Sequence, residues 1–194
     1  MPSPDITKLV LGPCNIYLTE NAVQQFVGGI SGAQITVKQT WADLTADNLG
    51  VTAVNKILIG VEAWIEFALR EIDLISFSRA ILGSKSYIDD VTPTKRRVEV
   101  YPRIGQDLAS IARKLELKPI VGGAETADKE KWIVADKAAP DSETIQWAYQ
   151  NAGQREIQAR FWLMPDGANN NRLFYMGEPV ITDSSAPVGF VGIW

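Results

Sequence analysis

The stretch KILIGVEAWIEFALREID, residues 56 to 73, narrows the fold more than any other. Val61, Ala63, Ile65, Phe67 and Leu69 alternate with Glu62, Trp64, Glu66 and Arg70, the period-two pattern of a strand with one apolar and one polar face. A helical reading competes locally, because Ala63, Phe67 and Arg70 also share a helical side and Glu, Ala and Leu favour helix. The next residues decide between them. At Asp73 the period changes: Leu74, Phe77 and Ile81 fall at i, i+3 and i+7, Asp73 is a good N-cap, and Gly83 stands where a helix stops. The spacing therefore predicts a long strand running into a short helix over 73–83.

Upstream, AQITVKQTWADL alternates in the same way, with Ile35 and Val37 opposite Gln34, Thr36, Lys38 and Thr40. TADNLGVTAVN then breaks the pattern with Asp47, Asn48 and Gly50. Residues 33–72 thus read as two long strands joined by a polar loop. CNIYLTE is an earlier strand over 14–20, followed by VGGISG as a Gly-rich turn. Residues 84–107 are polar and contain Pro93 and Pro102, with RRVEVY as their one strand. That segment is expected to stay mobile until a neighbouring subunit covers it.

LASIARKLELKPIVGG fits strand or helix. EKWIVADKAAP reads as a strand. The region from PDSETIQWAY to LFYMGEPV reads as an antiparallel pair or triple with PDGANNN as its turn, and the tail APVGFVGIW is apolar for a chain end. About eight strands and one convincing helix in 194 residues imply a single, mainly β domain over 1–194. Its expected form is an antiparallel β-sandwich or partial barrel with one flanking α-helix.

Composition limits the chemistry. There is no histidine and a single cysteine, Cys14, so His-based nucleophile systems, His zinc sites, cysteine-rich metal sites and an internal disulfide are all excluded. Cys14 reads as a small buried hydrophobe in a strand. The net charge of −4, with Lys and Arg dispersed, argues against a nucleic-acid-gripping face. No apolar run approaches a membrane span, and MPSPDITKLVLGP lacks the basic-then-apolar order of a secretion signal.

Glu62 and Glu66, about 13 Å apart along a strand, are widely spaced for a glycosidase pair, which needs about 5 to 9.5 Å, so a carboxylate enzyme stays a minor reading in which the two side chains lean together. Asp89 and Asp90 lack the acidic neighbours a cation site requires. The six tryptophans, among them Trp41, Trp64, Trp132, Trp147 and Trp162, could form a sugar-stacking platform, but core or interface filling explains their spread over separate strands better. Lys95, Arg96, Arg97 and Arg103 form a short basic cluster interrupted by Glu99, which suits a solvated face or inter-subunit ion pairs. Catalytic, cofactor and metal residues are expected to be absent.

The order of motifs resembles the major tail tube proteins of tailed bacteriophages. The matching pieces are LGPCNIYL, then SGAQITVKQ, then GVEAWIEFALREIDL after an Asp-bearing loop, then KAAP as a turn, and FWLMPDGANNNRLFYMGE near the end. Each is short; their succession over most of the chain carries the likeness. The resemblance implies a non-catalytic virion subunit, made in the host bacterial cytoplasm, that forms usually hexameric rings stacked into a hollow tube through which DNA passes without membrane contact. The long hairpin would complete an inter-subunit barrel. Its apolar face would pack on the subunit's own core, and Glu62, Glu66, Gln34, Thr36, Lys38 and Thr40 would face the bore or a neighbour. The glutamates there would repel phosphates.

Asp47, Asn48 and Gly50 are the expected inter-ring loop, and Arg96, Arg97 and Trp194 expected subunit contacts. Tape measure, tail terminator and distal tail proteins are the implied partners. The surface-decorating domain that some family members carry is expected to be absent. A non-catalytic carbohydrate-binding β-sandwich, a tail terminator or a contractile-machine tube subunit are the alternative readings.

Overall fold

The computed structural model describes residues 13–20, 22–45, 53–69, 74–141 and 157–178. In chain order its strands are β1 (Cys14–Glu20), β2 (Val23–Thr45), β3 (Ala53–Leu69), β4 (Ser84–Ile88), β5 (Arg96–Val100), β6 (Arg113–Val121), β7 (Ala124–Glu125), β8 (Ile133–Pro140), β9 (Ile157–Leu163) and β10 (Tyr175–Met176). Two α-helices, α1 (Leu74–Ala80) and α2 (Leu108–Ile111), and two single 3-10 turns, Lys129–Lys131 and Gly167–Asn169, complete the described part. Every pairing is antiparallel. The main sheet runs β10-β8-β9-β3-β2-β1-β6-β7, and β6 also pairs with β8. That extra pairing closes six strands, β1, β2, β3, β9, β8 and β6, into a barrel, which removes their free edges within the barrel wall.

The barrel closes because the inward residues alternate strand by strand. Ile16 and Leu18, Ile65 and Phe67, Leu115 and Leu117, and Ile157, Ala159, Phe161 and Leu163 all turn into one buried cluster. Phe67 and Phe161 stack at its centre, ring centroids 5.6 Å apart. Cys14 is half-buried beside this cluster, and burial pushes its thiol up to about 11.

The outward face of β6 is unusual, because Glu116 and Lys118 are both buried there. Each is satisfied. Glu116 pairs with Lys114 at 2.7 Å and Lys118 at 3.6 Å, and it accepts from Gln24. The Lys118 ammonium lies 4.4 Å from the centroids of both Tyr17 and Trp132 and donates to Gln24 Oε1. A buried charge supplied with a partner and two ring faces avoids the penalty of an orphaned one.

Several sequence expectations change. VGGISG is no turn; it lies inside the 23-residue β2. Register slips opposite Ile16/Tyr17 and between Ile30 and Ala33 mark β-bulges, with Gly32 at φ 80. The glycines let one strand bend as it leaves β1 and takes up β3. KAAP is likewise strand, the end of β8, because Ala138 and Ala139 pair with Leu163 and Trp162. Residues 84–107 contain a second strand, β4, whose polar SKSYI sequence hid it; β4 and β5 form a hairpin apart from the main sheet.

The ambiguous LASIARKLELKPIVGG is helix for one turn, then strand. In α1 the fully buried residues are Ser76 and Ala80, while Leu74, Phe77 and Ile81 are half-buried; the small side chains let the short helix lie close to the barrel. Its expected cap, Asp73, lies outside the described residues.

Gly83 ends the α1 turn at φ 79, where a Cβ would stand 2.4 Å from the Tyr101 carbonyl oxygen. That carbonyl cannot recede easily, since the Tyr101 N–H donates to Gly83 O at 3.0 Å. Gly83→Ala combines left-handed strain with a backbone clash, and it should cost about 2–3 kcal/mol. The check is a lowered urea midpoint at unchanged slope.

Candidate assembly surface

β2 and β3 pair over most of their lengths, from Ile30↔Leu69 to Thr45↔Ala53. β9 accompanies β3 only from Leu69 to Ala63. Beyond Ala63 the two strands continue as a hairpin, with no third strand beside β3 among the described residues. The predicted strand pair is therefore present, and the loop holding Asp47, Asn48 and Gly50 lies outside the described residues, as does Trp194.

The six residues expected on the polar face do share it. Register sets Gln34 against Glu66, Thr36 against Trp64, Lys38 against Glu62 and Thr40 against Gly60. β9 extends two of these rows with Arg160 opposite Glu66 and Trp162 opposite Trp64. The indoles of Trp64 and Trp162 stack at 6.0 Å and 9°, which explains a tryptophan on an otherwise polar face. The face is not simply acidic. Lys38 Nζ lies 3.4 Å from Glu62 Oε2, and the Arg160 guanidinium beside Glu66 bonds Asp141 at 2.9 Å.

The opposite face corrects the sequence reading. Ala63, Ile65, Phe67 and Leu69 are buried, but Val61 is 41% exposed. The barrel ends at Ala63, so the alternation persists past the core that explains it. Val37 at 45%, Trp41 at 50%, Ile57 at 48%, Ile59 at 63% and Leu44 at 42% are exposed as well. Between Thr40 and Trp41 the register slips by one, from Thr40↔Gly60 to Trp41↔Leu58, so Ile59 is the extra residue of a bulge. After the bulge, Trp41 and Leu58 continue the face of Val37 and Val61, and Ile57 and Leu44 join the polar one. These apolar tip residues were missed as a group. Their signal is legible in KILIGV, where Ile57, Leu58 and Ile59 run together and break strict alternation.

Arg96 and Arg97 sit on β5, away from the barrel sheet. Arg97 pairs with Glu99 at 3.0 Å and lies over the Tyr87 ring. The hydroxyl of Tyr101 donates to Glu99 and, with Arg97, holds that carboxyl below its usual range; the same contact raises Tyr101.

Asp89 accepts from the amides of Val91 and Thr92, so its carboxylate closes a turn. Among the described residues no group of three or more acidic or thiol side chains is placed to hold a metal ion. Of the described tryptophans, Trp64, Trp132 and Trp162 are half-buried, and Trp132 donates from Nε1 to Thr126 O at 3.1 Å. No helix among the described residues is long and apolar enough to cross a membrane.

No family model matches the chain, and no curated protein matches it at a significant level. Among solved structures the chain is similar to one from the tail of an empty GTA particle with C6 symmetry, at a TM-score of 0.42 and 14% identity, covering 76% of this chain and 88% of that one.

Proposed function

We propose that this chain is the repeating, non-catalytic subunit of a phage tail tube. In this reading copies join side by side through the β2–β3 hairpin into closed rings, six to a ring as the motif resemblance implies. The rings stack into a hollow conduit for DNA in the virion tail. The observation that carries the reading is the hairpin tip: Val37, Trp41, Ile57, Ile59 and Val61 are exposed large hydrophobics on a β-ribbon that its own barrel does not cover.

Such a ribbon presents both apolar surface and a strand edge unpaired among the described residues, the two features that make strands associate. Each half-exposed residue stands to gain about 1 kcal/mol on burial. Together that is several kcal/mol, comparable with the lower estimates of the entropy lost on association. One contact is therefore weak, and a closed ring in which every copy makes two is the stable product.

A bore lined by the polar face would show DNA mixed charges: Glu62 paired with Lys38, and Glu66 beside an Arg160 that pairs with Asp141. A wall only mildly acidic does not bind phosphates and repels them less than the lining expected from the glutamates alone, which suits passage. The loop at Asp47, Asn48 and Gly50 is assigned to contact with the next ring. Tape measure, terminator and distal tail proteins are the further partners of this reading.

Negative-stain electron microscopy with mass photometry across a concentration series tests it. Rings or hollow tubes of uniform bore are the expected result. A monodisperse monomer at the highest soluble concentration counts against it.

A further inference from the structure

A cavity of about 410 Å³ opens between α1, the start of β4 and the end of the barrel where β1 finishes and β6 begins. Its accessible apolar lining is Ile75, Ile81, Leu82 and Ile111, which cover the fully buried core residues Leu18 and Phe161 behind them. Its polar wall holds four cationic side chains, Arg79, Lys85, Arg103 and Arg113, against one carboxylate, Glu20. In a chain of net charge −4 this local excess of positive charge is the opposite of the average surface.

Two of the cations are committed. Arg113 pairs with Glu20 at 2.9 Å, and Arg79 donates to the Phe26 carbonyl at 2.9 Å and Gln25 Oε1 at 3.0 Å. Lys85 lies 4.8 Å from the Tyr87 ring centroid. The carboxylate opposite it in the β4–β5 pairing, Glu99, is taken by Arg97 and Tyr101. Arg103 has no carboxylate at ion-pair distance among the described residues. Gly83, also in the lining, keeps the Arg103 stem close, since a Cβ there would meet Arg103 Cγ at 3.0 Å.

Apolar side chains beside Arg103, which meets no carboxylate of the described chain at ion-pair distance, and Lys85, whose facing carboxylate Glu99 also serves Arg97 and Tyr101, select one kind of ligand. We propose that the cavity binds a carboxylate carried on a compact apolar body, with Arg103 and Lys85 meeting the charge and Ile75, Ile81 and Ile111 the hydrocarbon. A neutral analogue loses the charge-assisted bonds, and a bare inorganic anion loses the apolar contact. The carboxylate could belong to a free small acid or to an acidic side chain of a second copy; the chemistry is shared, and the test separates the two.

Isothermal titration of the full chain with 4-phenylbutyrate, 4-phenylbutanol and inorganic phosphate tests the proposal. The acid should bind roughly tenfold or more tightly than either control. The Arg103→Ala/Lys85→Ala variant should weaken the acid by a similar factor while leaving the urea midpoint in place. Equal binding of acid and alcohol, equal binding of acid and phosphate, no heat with the acid, or an unchanged affinity in the variant would each overturn it. Where the acid binds as expected, mass photometry with and without it identifies the source. Dissociation of assemblies by 4-phenylbutyrate assigns the natural carboxylate to a second copy, and unchanged assemblies assign it to a free acid.

Discussion

Trp41→Glu/Ile59→Glu should leave the protein folded and monomeric at concentrations where the unsubstituted chain forms rings. Both side chains are already at least half exposed, at 50% and 63%. Replacing them removes little native packing, so the change in unfolding free energy should stay within about 1 kcal/mol. In the assembled state the same positions would be covered, and two carboxylates per contact would have to be desolvated without partners. That costs several kcal/mol per contact, repeated around the ring. The outcome is close to all-or-none, read by mass photometry and electron microscopy with circular dichroism as the folding control. Rings formed equally well by the double variant would remove the hairpin from the contact and leave the ring assembly to be made by another surface.

Phe161→Ala carries the other large expected effect, on the barrel itself. Phe161 is fully buried, stacks on Phe67 at 5.6 Å, and bridges the β3 and β8 neighbours of β9 through its pairings with Ile65 and Pro140. Truncation removes buried apolar surface, leaves a cavity among rigid strands, and strips Phe67 of its ring partner. The cost should be about 3–5 kcal/mol, a large share of the 5–15 kcal/mol that holds a typical domain together. The melting temperature should fall by roughly 10 °C. Phe161→Leu, which keeps most of the volume, should lose less than half as much. Equal losses from both variants would mean that the ring stack, and not the volume, is what matters there.

How far the sequence was legible depended on how local each signal was. CNIYLTE, AQITVKQTWADL and the strand through IEFAL were readable because alternation against one buried face is written into consecutive residues. The change of period at Leu74 located α1 for the same reason. Barrel closure was not legible, since the β6–β8 pairing depends on distant strands meeting, and nothing in RKLELKPIV or IVADKAAP names its neighbour. The Gly-rich stretch misled because glycine serves turns and bulges alike, and only the partner strands distinguish them.

The candidate surface divided along similar lines. Gln34, Thr36, Lys38, Thr40, Glu62 and Glu66 share a face because parity alone requires it. That Val61 is bare while Ala63 is covered depends on where β9 stops, which the β3 sequence cannot record.

The order in which the barrel's strands are made has a consequence during synthesis. β1, β2 and β3 are consecutive hairpin neighbours, and all three are complete once residue 69 has been translated. The partner that covers the other side of β3 is β9, residues 157–163, the last barrel strand to leave the ribosome. At about 5–20 residues per second, the nascent chain therefore carries a finished hairpin whose Ile65 and Phe67 edge stays open for roughly 5–20 s. Chains on neighbouring ribosomes of one message hold the same open edge at the same time. For this protein the hazard of mispairing is greatest before release, and slowing translation between β3 and β9 should lower soluble yield without changing the finished fold.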